Sequence, residues 1–230
     1  MINNLPIGLA EIIATRARPC ILCCDAVGQV HERLCHPESA IPVDIRNASS
    51  LDQCLSRPVL HEWIQLMRET ICTGCPIDAL VVVDGVGFNL LCVTDSNSKE
   101  TPGVWLTLIQ MSDTLSVVPR QSRRALRHHE WGRLDSLSRS QLDTLRWITR
   151  GMSNQQIAEH VHRSKRAVEW HIRHLHRLLL ISTREALARL GRVAALDCFD
   201  DREWAEVLDT RPARRSLEEY ALADRPRQVS

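Results

Sequence analysis

The sequence predicts an α+β domain built on a five-stranded antiparallel sheet, followed by an all-α domain of four helices. Two observations support this division. Apolar runs bounded by turn residues concentrate in the first half of the 230-residue chain, and the Ser-x-x-Gln/Glu pattern that is typical of helix N-termini recurs in the second half. The expected segments are an N-terminal domain at 1–115, a basic linker at 116–133, a helical domain at 134–196 and a tail of mixed charge at 197–230.

Charge is distributed unevenly along the chain, although its net value is only +1. Residues 1–119 carry 7 basic and 13 acidic side chains, residues 120–195 carry 16 and 6, and residues 196–230 carry 6 and 9. A basic segment of this kind is typical of a protein that binds a polyanion such as nucleic acid. The alternative is a solvated basic surface.

The N-terminal domain is expected to contain two strands, short helices, one long helix and three further strands, in that order. The long helix is predicted at 60–72, because apolar residues recur there at helical spacing and Gly74 and Pro76 follow. This order and length resemble a PAS-type sensor domain, and small GAF-type folds are built from similar pieces. The five strands are predicted at 20–24, 29–34, 77–83, 88–94 and 104–111.

The resemblance to a PAS-type domain implies a cup between the helices and the sheet. A small apolar ligand in that cup would lie near Trp63, Phe88 and Trp105; the alternative is that these aromatic residues are core. The sequence contains no cofactor signature, so no cofactor is expected. Neither a nucleophile–base arrangement nor a phosphate-binding loop is evident, and we therefore expect a protein that is not an enzyme.

Four capped helices are predicted in the second half of the chain. Ser138, Ser153 and Ser182 each precede Gln or Glu by three residues, which is the spacing of a capping box, and Ser164 is the expected cap of a longer helix. That longer helix has an apolar face that includes Val168, and its opposite face is basic. A short helix, a turn at 162–164 and a longer basic helix together predict a helix-turn-helix unit, whose second helix enters the DNA major groove.

The residues of this region resemble the LuxR/FixJ-type DNA-binding domain over about 60 positions. The resemblance is carried by residues 137–138, by 151–158 (GMSNQQIA) and by 183–186 (TREA), together with Val168 and His171 of the third helix. It implies that the third helix reads DNA and that the start of the second helix touches phosphates. By position, the family's groove-facing sites fall on Glu169, Trp170 and Arg173. Together with the basic face of the third helix and the starts of the second and third helices, this predicts the DNA-binding residues Ser153, Asn154, Gln155, Ser164, Lys165, Arg166, Glu169, Trp170, Arg173 and Arg177.

Several positions depart from the family pattern, and two of them lie in the third helix. Glu169 stands where the family usually has Lys, and Ala167 stands where Thr is usual. A carboxylate at position 169 cannot hold a phosphate, but it can accept a hydrogen bond from cytosine or hold Arg166 or Arg173 in place. Trp170 can contact thymine methyl groups or stack with Arg166 or His174.

The fourth helix is expected to mediate homodimerisation of the protein, as the resemblance to the LuxR-type family implies. Its apolar stripe consists of Ala186, Leu187, Leu190 and Val193, of which part must cover the core and part can pair with a second copy. A two-fold dimer favours an inverted-repeat operator in double-stranded DNA. If the protein is an activator, RNA polymerase is a further expected partner.

The nine cysteines are expected to be reduced thiols of a cytoplasmic protein, since no export signal or membrane-spanning segment is evident. Cys72 and Cys75 are the best candidates for a metal or redox pair. A thiol-redox or metal sensor is therefore one alternative function. Another is an antagonist that pairs with a related regulator without binding DNA, an interpretation favoured by Glu169.

Overall fold

The computed structural model describes residues 18–95, 103–111 and 123–211. The N-terminal domain contains six strands, which are β1 (Cys20–Cys24), β2 (Val30–Cys35), β3 (Ile77–Val83), β4 (Val86–Asp95), β5 (Gly103–Gln110) and β6 (Arg124–Ala125). It also contains helices α1 (Val43–Asn47) and α2 (Arg57–Thr73) and a short 3-10 turn at Leu51–Gln53. The strands form one sheet with the order β2-β1-β5-β4-β3-β6.

The first five strands form the antiparallel sheet that the sequence predicts, in the order of a PAS-like domain. The sixth strand, β6, is not predicted by the sequence. It lies in the expected linker and pairs in parallel with β3. The chain then continues along the same edge, where Leu126 N–H donates to the Leu80 carbonyl and Glu130 N–H to the Val82 carbonyl. These bonds satisfy backbone groups that would otherwise be free at the sheet edge.

Helix α2 packs on the inner face of the sheet and forms the core of the N-terminal domain. Trp63 is 1% exposed and shares this core with Phe88 and Met67. The helix ends at Gly74, whose φ of 66° is the left-handed conformation that glycine adopts without a steric penalty.

Trp105 does not join Trp63 and Phe88, which corrects the expectation that the three line one pocket. It lies on the outer face of β5 in a small cluster with Ile21 and Cys23. The reason is the alternation of side chains along a strand, because Val104 and Leu106 occupy the inner face on either side of it.

Cys20 and Cys35 form a disulfide, which corrects the expectation that all nine cysteines are free thiols. The two residues are direct partners in the antiparallel pairing of β1 and β2. Cross-strand partners bring their side chains close together, and this proximity is a property of the pairing that the spacing along the sequence does not reveal. Cys23, Cys24 and Cys92 are buried free thiols.

The C-terminal part of the chain is helical, as predicted. The capping boxes at Ser138 and Ser153 and the cap at Ser164 are present. The predicted box at Ser182 is wrong by one residue, since Thr183 is the cap and accepts from Ala186 N–H. A 3-10 turn at Gly132–Ser136 leads into helices α3 (Arg139–Thr149), α4 (Asn154–His160), α5 (Lys165–Leu179), α6 (Arg184–Val193) and α7 (Asp201–Thr210).

Helix α7 lies in the expected tail and packs against α3. Trp204 is buried, and its indole nitrogen donates to the Asp143 carboxylate over 2.8 Å. Arg146, with a side chain only 1% exposed, donates to Asp201 and to the Phe199 carbonyl and lies 5.1 Å from the Trp204 ring centroid. A buried guanidinium is tolerated here because its charge is paired and hydrogen-bonded.

The helical region packs on the outer face of the sheet. Leu80 and Val82 of β3 share one hydrophobic core with the helices. Gly87 of β4 allows a close backbone approach, since a Cβ atom there would lie 2.3 Å from Cβ of Ala195. Within the described part of the chain, no helix is long and apolar enough to cross a membrane.

Candidate nucleic-acid interface

Helices α4 and α5 form a helix-turn-helix unit. Each begins at a serine whose hydroxyl accepts a backbone N–H, Gln156 for Ser153 and Ala167 for Ser164. The turn between them contains His162 in a left-handed conformation, with a φ of 52°. The two helices are held together by a shared core, to which they contribute Ile157, Ala158, Val168, Ile172 and Leu175.

The basic face of α5 is turned outward. Lys165, Arg166, Arg173 and Arg177 are exposed, and within the described residues none of these four side chains forms an ion pair or a hydrogen bond with another side chain. Cations without internal partners are available to phosphates. Glu169 is partly buried among them and has no ion pair within the described part of the chain, so the interpretation that it holds Arg166 or Arg173 is not realised here.

Trp170 lies on the same face of α5 and is 37% exposed. Its ring stacks on His174, with ring centroids 3.8 Å apart, and His174 Nδ1 lies 3.0 Å from the Trp170 carbonyl oxygen. His174 is one of the two stacking partners that the sequence suggests for Trp170; the other is Arg166.

The first turn of α4 is connected to α6. Asn154 accepts a hydrogen bond from Nη1 of Arg184 over 2.8 Å, and Nη2 of the same arginine donates to the Met152 carbonyl. Gln155 donates to Glu159 on its own helix over 2.8 Å. The structure thus brings five of the ten predicted DNA-binding residues together around one groove. The groove is lined by Asn154, Lys165, Arg166, Glu169 and Arg173.

Arg184 is the residue of this surface that the sequence reasoning missed as a functional candidate. In the sequence, Arg184 is part of the TREA segment (183–186) that carries the family resemblance. Burial lowers its pKa, and Glu185 opposes this shift; an arginine nevertheless stays charged. Arg184 is the first residue of α6 and lies next to the turn between α3 and α4. This position is the feature that points to it.

The apolar stripe of α6 is divided between the core and the surface. Leu187 is fully buried, whereas Ala186, Leu190 and Val193 are partly exposed. Gly191 faces α3 so closely that a Cβ atom there would lie 1.8 Å from Thr149 Oγ1.

Cys72 and Cys75 are both exposed on either side of Gly74. Among the described residues, no group of three or more His, Cys, Asp or Glu side chains is arranged to hold a metal ion.

A cavity of about 140 Å³ lies where the two domains meet. Its walls come from the start of α2, the segment before α3 and the end of α7, and include Val59, His129, Trp131 and Arg211. The sequence does not indicate this cavity, because its walls are far apart along the chain.

Residues 135–190 match the model of the family described as bacterial regulatory proteins, luxR family. The helical region therefore contains a LuxR-type helix-turn-helix DNA-binding domain, and the whole chain combines it with a PAS-like N-terminal domain. The match ends before α7.

Solved structures with a related architecture belong to VqmA proteins. VqmA of Vibrio cholerae in complex with ligand and DNA is 13% identical, covering 86% of this chain and 92% of that chain with a TM-score of 0.41. A phage VqmA in complex with DPO is 11% identical, covering 86% of this chain and 94% of that chain with a TM-score of 0.36. No curated protein matches it.

Proposed function

We propose that this protein is a sequence-specific transcriptional regulator that binds an inverted-repeat operator as a homodimer, under the control of its PAS-like domain. The observation that carries the proposal is the outward basic face of α5 beside the capped start of α4. Both elements are rigidly placed by a common core, and the four exposed cations have no competing partner within the described residues.

The proposed mechanism divides the surface into two kinds of contact. Lys165 and Arg177, near the two ends of α5, contact phosphates and supply affinity that falls as salt concentration rises. Glu169, Trp170 and Arg173 face the base edges and supply sequence preference. A carboxylate accepts from the cytosine amino group, and the exposed indole edge covers a thymine methyl group.

Dimerisation is proposed through the exposed part of α6, which contains Ala186, Leu190 and Val193. Leu187 faces the core and is therefore not available to a second copy. Two copies related by a two-fold axis place two α5 helices on successive major grooves, which is the reason for an inverted repeat. The DNA partner implies action in the cytoplasm, and RNA polymerase is a further partner if the protein activates transcription.

Binding-site selection from random double-stranded DNA at two salt concentrations tests the proposal. The purified protein is compared with Arg173→Ala and with Arg189→Ala, an exposed arginine of α6 that serves as the matched control. We expect the protein and the control to select one palindromic sequence. Arg173→Ala should lose about 1–3 kcal/mol on that sequence and relax the preference at one position of each half-site.

Three outcomes contradict the proposal or part of it. An equal loss for Arg173→Ala on all sequences means that Arg173 contacts a phosphate and not a base. Failure of the unmodified protein to enrich any sequence contradicts DNA recognition and favours the antagonist that pairs with a related regulator. Sedimentation of a monomer bound tightly to a half-site contradicts the dimer.

A further inference from the structure

Arg184 joins the first residues of α4 to the start of α6. Its guanidinium donates to the side-chain oxygen of Asn154 over 2.8 Å and to the Met152 carbonyl. These two acceptors lie on either side of Ser153, the cap of α4. Arg184 itself is only partly exposed. One cation therefore holds both sides of this helix start.

The chemistry of this contact determines the orientation of the Asn154 amide. Arginine has five N–H donors and no acceptor, so the atom of Asn154 that faces it must be Oδ1. The Nδ2 group, with its two N–H donors, is therefore turned away from Arg184. Within the described part of the chain, no hydrogen bond to this Nδ2 group is present. It is free to donate to an external acceptor.

Asn154 lies on the wall of the groove that also contains Lys165, Arg166, Glu169 and Arg173. Three cations and one carboxylate leave this groove with a net positive charge, which favours an anion with several acceptor oxygens beside the amide donor. A phosphate of the DNA backbone has this chemistry.

We infer that Arg184 is a positioning residue, which holds the Asn154 amide so that Nδ2 donates to a DNA phosphate. The inference rests on the proposed function and names a residue outside the groove that controls it. It also connects α6 to the DNA-binding surface, because Leu187 anchors α6 in the common core.

A double-mutant cycle on DNA affinity tests the inference. The variants are Asn154→Ala, Arg184→Gln and the double variant, with Arg189→Gln as the control on α6. The probe is a duplex that the unmodified protein selects from random DNA, and affinity is measured over a range of salt concentrations. We expect each single variant to lose about tenfold in affinity, and the double variant to lose no more than either single one.

The salt dependence separates positioning from direct contact. If Arg184 itself neutralised a phosphate, its removal would lower the slope of log affinity against log salt concentration by about 0.9 for each contact. We expect the slope of Arg184→Gln to equal that of the Arg189→Gln control. A lowered slope together with additive losses overturns the inference, and so does unchanged affinity in Arg184→Gln.

Asn154→Asp provides a test that does not disturb the arginine. The carboxylate keeps the bond to Arg184, but it replaces the Nδ2 donor by an oxygen that repels a phosphate. We expect thermal stability at least equal to that of the unmodified protein and a larger loss of DNA affinity than in Asn154→Ala. Equal affinity of the two variants overturns the inference, even if Arg184→Gln fails to fold. Failure of the unmodified protein to select DNA would instead contradict the proposed function.

Discussion

His129 lies between the sheet and the helices and is buried against both. Its Nδ1 accepts from Val82 N–H over 3.1 Å, and its ring contacts Trp131 and Phe199 edge to face. Burial lowers the pKa of His129 to about 3, and the charge of Arg211 contributes, while the Leu126 carbonyl opposes the shift. The imidazole is therefore neutral in the folded protein at neutral pH.

This neutral histidine makes the stability of the protein depend on pH. In the unfolded chain the pKa of His129 is about 6.5, so the unfolded state binds a proton at this residue below that pH. The folded state binds the same proton only near pH 3. We expect the free energy of unfolding to fall as pH decreases from about 6.5 towards 3. His129→Asn should show a shallower dependence over this window. Identical pH profiles in urea denaturation would contradict the assignment.

Gly191 determines how closely α6 approaches α3. We expect Gly191→Ala to lower the free energy of unfolding by about 1–3 kcal/mol, because its Cβ atom would overlap Thr149 Oγ1. Thr149→Ala removes that oxygen, so the double variant should recover part of the loss. Denaturant unfolding measures both. If Gly191→Ala is as stable as the unmodified protein, the close approach is not present in solution.

At the scale of elements, α7 extends the LuxR-type domain and connects it to the segment before α3. Arg127 of that segment forms an ion pair with Glu206 on α7, and its carbonyl accepts from the Thr210 hydroxyl. The same helix is held to α3 by the pair of Arg146 with Asp201. Hydrogen bonding to Arg146 lowers the pKa of Asp201.

Trp204 is the main apolar contact of α7, so its replacement tests the role of the whole helix. We expect Trp204→Ala to cost about 3–5 kcal/mol, because the variant loses the packed indole and leaves Asp143 without its donor. Arg202→Ala on the exposed side of the helix should change stability by less than about 0.5 kcal/mol. Thermal and denaturant unfolding give these values. Equal stability of the two variants would show that α7 is not docked.

At the scale of the molecule, the two domains share a hydrophobic core and are not independent units joined only by a linker. Leu80 and Val82 belong to the N-terminal sheet, yet their side chains pack with the DNA-binding domain. Glu62 on α2 accepts the backbone N–H groups of Arg127 and His128, at 3.0 and 2.9 Å. These two hydrogen bonds hold α2 to the segment that leads into the DNA-binding domain.

The contact of Gly87 with Ala195 offers a test of this docking. We expect Gly87→Val to displace the helical domain from the sheet, and to replace one cooperative unfolding transition by two. Ala195→Gly removes the Cβ atom that would clash, so Gly87→Ala combined with Ala195→Gly should unfold in one transition again. Calorimetry distinguishes the cases, with Ala195→Gly alone as the control. A single transition in Gly87→Val would mean that the domains do not depend on this contact.

Most of the helices and strands could be predicted from the sequence, because their signals are local. Serine caps at 138, 153 and 164 require only the next three residues, and the strands at 20–24 and 77–83 follow from short β-branched or apolar runs between turns. The same local patterns predicted the helix-turn-helix unit and the basic face of α5. Trp105 lies outside the predicted pocket because the alternation of side chains along β5 turns it to the outer face of the sheet.

What the sequence by itself determined is therefore the class of each domain and the outward basic face of α5. Only the tertiary structure decided the pairing of Cys20 with Cys35, the addition of β6 to the sheet, the docking of α7 and the contact of Arg184 with Asn154. Each of these joins segments that are separated along the chain. Which segments meet depends on the packing of the whole molecule, and a pattern within one segment does not contain that information.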